Sequence, residues 1–203
     1  FDNIWIGTWG GGINFISRKP PLFTTLSYSP IPNNENSLNN KVVSSLCTDR
    51  QRRIWIGTDG GGINILDPET GHFSLLEHVP GSDNYSLPAN SILCLYNDYN
   101  NNIWAGSIRN GLISIREVSM KTYTDVPPGN DRGLSNNTVL SLFQESQDQI
   151  WVGTDGGGIN NFNPLTEKFT HYPSTWEDKV ASICQFTPGK LLISIFSQGV
   201  FIF

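Results

Sequence analysis

Charged side chains are scarce in this sequence, and neither sign of charge is concentrated. Lys, Arg, Asp and Glu make up 15% of the 203 residues, and the formal net charge is -5 at pH 7. A nucleic-acid footprint needs clustered Lys and Arg. The one basic cluster, Arg50-Gln51-Arg52-Arg53, falls in a predicted turn, where a run of charge is usually solvated. Nucleic acid is therefore not an expected partner.

Long apolar runs are missing as well. No stretch approaches the ~20 consecutive apolar residues that a membrane-spanning helix needs. We therefore expect no direct membrane contact by this segment. There is no signal-peptide pattern, and the chain begins at Phe1 inside one repeat and ends inside another. The sequence is interpreted as an excised piece of a longer protein.

Cysteine is rare and shows no metal-binding spacing. Cys47 and Cys184 fall at matching positions of different repeats, Cys94 is offset by two, and no C-x-x-C pair occurs. Matching positions on separate units do not meet, so we expect buried free thiols rather than a disulfide. The three histidines are scattered without ligand spacing, so neither a metal nor a cofactor is expected.

What the chain does contain is a repeated phrase. Ile4–Asn14, Ile54–Asn64 and Ile150–Asn160 are nearly identical, Ile103–Ser107 is a looser copy, and Leu191–Phe203 is an eroded fifth. Tryptophan recurs at one position of the first four copies, and Leu192 replaces it in the fifth. A period of roughly 40–50 residues indicates a repeat architecture.

Each complete repeat is predicted to form four short antiparallel strands, A to D. In residues 37–79, apolar or alternating runs cover 42–48, 54–58, 62–66 and 72–77, and polar or Gly-containing turns separate them. The first repeat keeps only strands B, C and D, and the last only A, B and C. The predicted units are 1–29, 37–79, 87–126, 134–173 and 179–203.

This pattern predicts an all-β fold, a β-propeller fragment with three complete and two partial four-stranded blades. The period and the lack of a 3.6-residue apolar pattern exclude a helical or leucine-rich solenoid. Trp5, Trp55, Trp104 and Trp151 are predicted to fill the space between blades. The glycine-rich segments lie between strands and precede no helix, so hairpin turns are favoured over a phosphate loop.

These residues resemble the two-component regulator propeller repeat, which reads approximately Leu-x-x-Asn-x-Val, an acidic turn, then Ile-Trp-Ile-Gly-Thr and a Gly hairpin. Leu38–Val42 with Ile54–Thr58 carries the likeness, and Leu134–Val139 with Ile150–Thr154 repeats it. The resemblance implies a piece of the periplasmic sensor region of a Bacteroidetes hybrid two-component system that signals to a histidine kinase. It supplies no catalytic residues.

Candidate ligand-binding residues lie in loops on one face of the predicted blades. The D-to-A loops are long and polar, and the B-to-C hairpins vary at one equivalent position. That position is occupied by Trp9, by Asp59, by either Ile108 or Arg109, and by Asp155 in successive hairpins. An indole can stack on a sugar ring, carboxylates can accept sugar hydroxyls, and Arg can fork onto a uronate. The candidates are Trp9, Asp59, Arg109, Asp155 and Trp176, although a turn role for each Asp also fits.

The leading interpretation is a non-catalytic sensing module for an oligosaccharide or other small polar ligand. One alternative is a scaffold or dimerisation module, since an incomplete propeller exposes blade surfaces and strand edges that favour self-association or contact with other blades of the parent propeller. The second alternative is a polysaccharide lyase or hydrolase, which no converging acid–base pair supports.

Overall fold

The computed structural model describes residues 4–8, 12–16, 23–32, 34–82, 85–117, 119–172 and 179–203. Every regular element in these ranges is a β-strand. Within them, accordingly, no helix is long and apolar enough to span a membrane. The chain divides into two compact units, Phe1–Leu95 and Tyr96–Phe203.

The described strands form small antiparallel sheets in which neighbours in sequence are neighbours in space. The first sheet has three strands: β1 (Ile4–Thr8), β2 (Gly12–Ile16) and β3 (Phe23–Leu26). The second has four: β4 (Val43–Thr48), β5 (Ile54–Thr58), β6 (Gly62–Leu66) and β7 (Phe73–Leu76). The third has four: β8 (Ile92–Asn97), β9 (Ile103–Ser107), β10 (Leu112–Arg116) and β11 (Ser119–Tyr123).

The remaining two sheets lie in the second unit. The fourth sheet has four strands: β12 (Val139–Ser146), β13 (Gln149–Thr154), β14 (Ile159–Asn163) and β15 (Lys168–Tyr172). The fifth has three: β16 (Val180–Thr187), β17 (Lys190–Ile195) and β18 (Gly199–Ile202). The predicted fold class, an all-β propeller segment with three complete and two partial blades, is confirmed.

The repeated tryptophans lie on strand B of their sheets and are mostly buried. Trp55, Trp104 and Trp151 are 5%, 1% and 7% exposed. Trp104 contacts Phe162 of the next sheet with ring centroids 5.4 Å apart, and Trp151 contacts Phe203 at 5.5 Å. Trp104 and Trp151 thus pack between consecutive blades, as the sequence predicts.

Each of the three buried indoles donates a hydrogen bond to an acid six residues earlier in the chain. Trp55 Nε1 donates to Asp49 Oδ2 at 2.9 Å and Trp104 Nε1 to Asp98 Oδ2 at 2.9 Å. In the fourth sheet, Nε1 of the indole donates to Glu145 Oε2 at 2.8 Å. The turn between strands A and B therefore satisfies the one polar group of a ring that the blade buries.

The glycine of the repeated Trp-Ile-Gly-Thr phrase makes room for the next blade. A Cβ on Gly7 would lie 2.9 Å from Val43 Cγ1, and one on Gly153 would lie 2.6 Å from Val180 Cγ1. Val43 and Val180 each open strand A of the following sheet. Real Cβ atoms do not approach so closely, so the motif needs glycine for blade packing.

Apolar cores form between consecutive sheets within each unit. In the first unit, Ile13 of the first sheet clusters with Val43, Ile54 and Ile56 of the second, and Trp5 packs against this group. In the second unit, Trp151 and Ile159 of the fourth sheet join a cluster of residues from the fifth. Blade-to-blade burial of apolar surface is thus the main stabilising term.

The cysteines depart from expectation at one position. All three are free thiols, and Cys47 and Cys94 are partly buried. Cys184 is exposed, so the expectation of a buried thiol is wrong there. Cys184 lies on β16, where Val180 and Ile183 are the only buried residues, so most of this strand is open to solvent.

Candidate functional site

The B-to-C hairpins are braced by a hydroxyl at their base. Thr58 Oγ1 donates to the Gly62 carbonyl at 2.9 Å and accepts the Gly61 amide at 3.1 Å. Thr154 and Ser107 make the first of these bonds to the glycine four residues on, each at 2.9 Å. The Gly-Thr phrase thus builds a rigid hairpin, and the Gly-rich segments are turns, as predicted.

At two hairpins, the residue at the tip meets the residue that immediately precedes strand A of the next sheet. Asp59 forms an isolated antiparallel bridge with Ser91, and Asp155 forms one with Lys179. Lys179 Nζ also lies 3.0 Å from Asp155 Oδ2. The carboxylate of Asp59 has no hydrogen bond or ion pair among the described residues, whereas that of Asp155 is neutralised by the lysine.

Arg109 occupies the same kind of junction with a different geometry. Its amide donates to Thr138 Oγ1 at 3.3 Å, and its side chain is exposed. Ser107 and Thr58 brace their hairpins with the same hydrogen bond. This aligns Ile108 with Asp59 and Arg109 with Gly60. Arg109 and Gly60 both adopt positive φ, 64° and 102°. The guanidinium therefore projects from a left-handed turn residue rather than from the position that varies.

The remaining two candidates, Trp9 and Trp176, lie outside the described residues. Asp59, Arg109 and Asp155 each lie at a separate blade junction, and no hydrogen bond or ion pair joins one to another within the described part of the chain. Their role in ligand contact remains a prediction.

The D-to-A loops are held by the side chains of Asn64 and Asn160, which the sequence analysis did not single out. Asn64 Oδ1 accepts the Asn39 amide at 3.1 Å, and Asn39 Nδ2 donates to the Gly61 carbonyl at 2.6 Å. In the fourth sheet, Asn160 Oδ1 accepts the Ser135 amide at 2.9 Å. The sequence did carry a signal for these residues, because Asn follows Gly-Gly-Gly-Ile in each close copy of the repeat.

The asparagines before strand A cap their turn. Asn40 Oδ1 accepts the Val42 amide, and Asn136 Oδ1 accepts the Thr138 amide, each at 2.8 Å. An Asn side chain that accepts the amide two residues further on stabilises a turn of this kind. Together with the braces above, these bonds give the D-to-A loops a fixed shape at their C-terminal ends.

Two clefts open where a D-to-A loop passes the outer strand of a sheet. The first, which we call the second-sheet cleft, has a volume of about 550 Å³ and lies between residues 28–39 and β7. The second, which we call the fourth-sheet cleft, has about 900 Å³ and lies between residues 125–135 and β15. The loop is anchored alike in both, because the Phe73 amide donates to the Glu35 carbonyl at 2.6 Å and the Phe169 amide to the Asp131 carbonyl at 2.7 Å.

No group of three or more His, Cys, Asp or Glu residues in the described ranges could hold a metal ion. The surface hydroxyls, amides and isolated charges of the loop face are suited to hydrogen bonding with a polar organic ligand.

Solved structures share this fold. The extracellular domain of BT3049, assigned as a hybrid two-component system of B. thetaiotaomicron, is 28% identical with a TM-score of 0.76, and the match covers 98% of this chain and 25% of that domain. The corresponding domain of BT4673 is 17% identical with a TM-score of 0.66, covering 99% and 30%. Virginiamycin B lyase from Staphylococcus aureus, at 12% identity and a TM-score of 0.66, covers 99% and 66% and shares the fold alone.

The chain thus spans about a quarter to a third of the two extracellular domains that it matches. A comparison with curated proteins finds no match. The model of the two-component regulator propeller matches residues 37–60, 86–109 and 133–156, and each match covers strands A and B of a four-stranded sheet. The chain therefore carries repeats of the two-component regulator propeller family in its three complete blades.

Proposed function

We propose that this chain is part of the periplasmic sensor region of a hybrid two-component system, where it detects an oligosaccharide and signals to a histidine kinase. The observation that carries the proposal is the 28% identity to the extracellular domain of BT3049 over 98% of this chain. The three regulator-propeller repeats support the same assignment. In this proposal the segment itself is not catalytic.

The chemistry of the loop face supports a neutral polar ligand. Charged residues make up only 15% of the chain, and several loop carboxylates are already engaged, such as Asp155 by Lys179 and Asp131 by Lys168. Apart from Glu35, the polar side chains that line the second-sheet cleft are uncharged amides and hydroxyls. These groups recognise sugar hydroxyls without needing a charge on the ligand.

Signalling requires that the ligand favour one of two arrangements of the blades. Two hairpin tips supply a physical link, because Asp59 and Asp155 each pair with the residue that precedes strand A of the next sheet. A ligand that bridges a D-to-A loop and its blade would change the free energy of such a junction. The energy available equals the difference in affinity for the two arrangements.

Isothermal titration calorimetry of this chain against a panel of neutral and uronate-containing oligosaccharides tests the proposal. We expect saturable binding of at least one glycan and no release of product after prolonged incubation. Absence of binding across the panel would count against the proposal. Turnover of a polysaccharide would favour a lyase or hydrolase instead.

A scaffold role has one observation in its favour. The fifth sheet exposes adjoining apolar side chains, with Phe196 67%, Val200 65% and Ile202 61% exposed. Such a patch favours association with another copy or another blade. In light scattering at tens of micromolar, we expect self-association that Val200→Lys reduces, whereas a wild-type monomer would exclude this role.

A further inference from the structure

The second-sheet cleft exposes the edge of an outer strand. The Phe73 amide points away from β6, because it donates to the Glu35 carbonyl of the loop. Backbone direction alternates along a strand, so the amide and carbonyl of Leu75 face the cleft in the same way. No described residue hydrogen-bonds this pair, and the cleft floor therefore offers one donor and one acceptor.

The walls of this cleft add three kinds of recognition group. Tyr28 is 42% exposed and contributes an aromatic ring to the cleft lining. The amide of Asn34 uses its oxygen to cap the turn at Asn36, at 3.0 Å, which leaves its NH₂ group available. The carboxylate of Glu35 is exposed and has no ion pair or side-chain hydrogen bond among the described residues.

The fourth-sheet cleft has the same architecture but its acids are occupied. Asp125 occupies the position that Tyr28 has in the second-sheet cleft, since each forms a bridge to the equivalent leucine, Leu134 or Leu38. Asp125 Oδ1 accepts a hydrogen bond from Asn137 Nδ2 at 2.5 Å. Asp131 stands where Glu35 stands, and its Oδ2 lies 2.7 Å from Lys168 Nζ. The aromatic ring in its described lining, Phe169, is 4% exposed and offers no open face.

We propose that the second-sheet cleft is the site that binds a neutral saccharide, and that the fourth-sheet cleft is not. A sugar ring stacks its C–H face on Tyr28, and its hydroxyls donate to the Glu35 carboxylate and to the Leu75 carbonyl. The NH₂ group of Asn34 and the Leu75 amide donate to sugar oxygens. The ligand class rests on the proposed function, and the location rests on the geometry of the cleft.

The hairpin tips are the competing location. Asp155 and Arg109 are tied into blade junctions through Lys179 and Thr138. Asp59 is the one described tip acid without a side-chain partner in the described ranges. It therefore serves as the variant that distinguishes the two locations.

Binding of a neutral hexasaccharide series to the whole chain tests the assignment. The series comprises β-glucan, α-glucan, mannan, galactan and xylan oligomers, measured by calorimetry on wild type, Tyr28→Ala and Glu35→Gln. We expect affinity to fall about fivefold for Tyr28→Ala and about tenfold for Glu35→Gln. Both side chains are exposed, so the melting temperature is expected to stay within about 2 °C of wild type.

Matched variants at the equivalent positions of the fourth sheet serve as controls. Asp125→Ala and Asp131→Asn are expected to leave affinity unchanged. Undiminished binding by Tyr28→Ala and Glu35→Gln, together with loss of binding by Asp59→Asn, would overturn the cleft assignment and leave the proposed function standing. If the wild-type chain binds no member of either glycan panel, both the cleft assignment and the proposed function are overturned.

Ionic strength supplies an independent check on the ligand class. A neutral sugar gives an affinity that changes less than about twofold between 0.05 and 0.5 M salt, because no charge pair is screened. A fall of tenfold or more with a neutral oligosaccharide would contradict recognition through stacking and hydrogen bonds alone and would overturn the assignment.

Discussion

At the scale of single residues, the recurring unit is an indole paired with an acid six positions earlier. Asp49 is the best-defined case, since its side chain is 1% exposed and accepts from Trp55 Nε1 at 2.9 Å and Arg53 Nε at 2.7 Å. A buried carboxylate with several donors stabilises the turn only while those donors remain. The acid and the indole are therefore expected to be energetically coupled.

A double-mutant cycle measures that coupling. Trp55→Ala is expected to lower the free energy of unfolding by about 3–5 kcal/mol, and Asp49→Asn by about 1–3 kcal/mol, because the indole loses a charge-assisted bond. The double variant should lose less than the sum of the two. Additive losses in urea unfolding would contradict the pairing, and exposed Glu69→Gln serves as the neutral control.

The thiols provide a residue-scale test of burial. Burial of Cys47, together with the nearby Asp49 carboxylate, raises the pKa of its thiol to about 12. Because the thiolate is the reactive form, Cys47 should resist alkylation near pH 8, whereas exposed Cys184 reacts readily. Mass spectrometry after brief iodoacetamide treatment should find label on Cys184 first, and equal labelling would contradict the described environment.

At the scale of elements, the sequence of strand B reflects its burial between blades. In the second sheet all five residues of β5 are buried, and Gly57 lies against the next strand A. A Cβ there would lie 3.0 Å from Ile92 Cγ2 and would collide with Ser45 Oγ. The motif therefore encodes the spacing between blades as well as the strand.

Gly57→Ala tests this close approach. We expect a loss of about 1–3 kcal/mol in unfolding free energy, since the added methyl group overpacks the blade interface. Ser194 occupies the equivalent position in the fifth sheet, so Ser194→Ala is the matched control and should be nearly neutral. Equal stability of Gly57→Ala and wild type in urea unfolding would show that the blades are not packed at this spacing.

Sequence reasoning predicted elements better than it predicted partners. Strands β4 to β7 follow the predicted runs within about two residues at each end, because period-two patterns and turn residues are local signals. The bonds between Asp49 and Trp55 and between Asn39 and Asn64 depend on how turns fold back, which spacing alone does not show. Solvent exposure of Cys184 likewise depends on the sheet around it.

The candidate site was predicted only in outline. The loop face and its variable tips were identified, and Asp59, Arg109 and Asp155 do lie at hairpin tips. Their contacts with the start of the next sheet could not be read from one repeat, because they arise between repeats. The clefts beside β7 and β15 were missed for the same reason, since the loop of one repeat forms them with the outer strand of the next.

At the scale of the whole molecule, the fifth sheet differs from the complete blades at several linked positions. Leu192 replaces the tryptophan, Phe186 the paired acid and Ser194 the glycine, and every residue of β18 is exposed. Losing the indole and its acid together is consistent with their acting as one unit. This sheet should therefore open more easily than its neighbour in the same unit.

Hydrogen exchange measures this difference directly. Amides of β17 are expected to exchange at least about tenfold faster than those of β13, because fewer buried contacts oppose local opening. Both are strand B of their sheets, so the comparison is matched. Equal protection would indicate that the lost motif has been compensated within the fifth sheet.

The central claim is that these propeller blades recognise a glycan without transforming it. Calorimetric titration of the whole chain with a panel of neutral oligosaccharides tests it most directly. The account predicts saturable, salt-insensitive binding of at least one glycan, which is recovered intact. Failure to bind any member of the panel, or recovery of cleaved sugar, would contradict it.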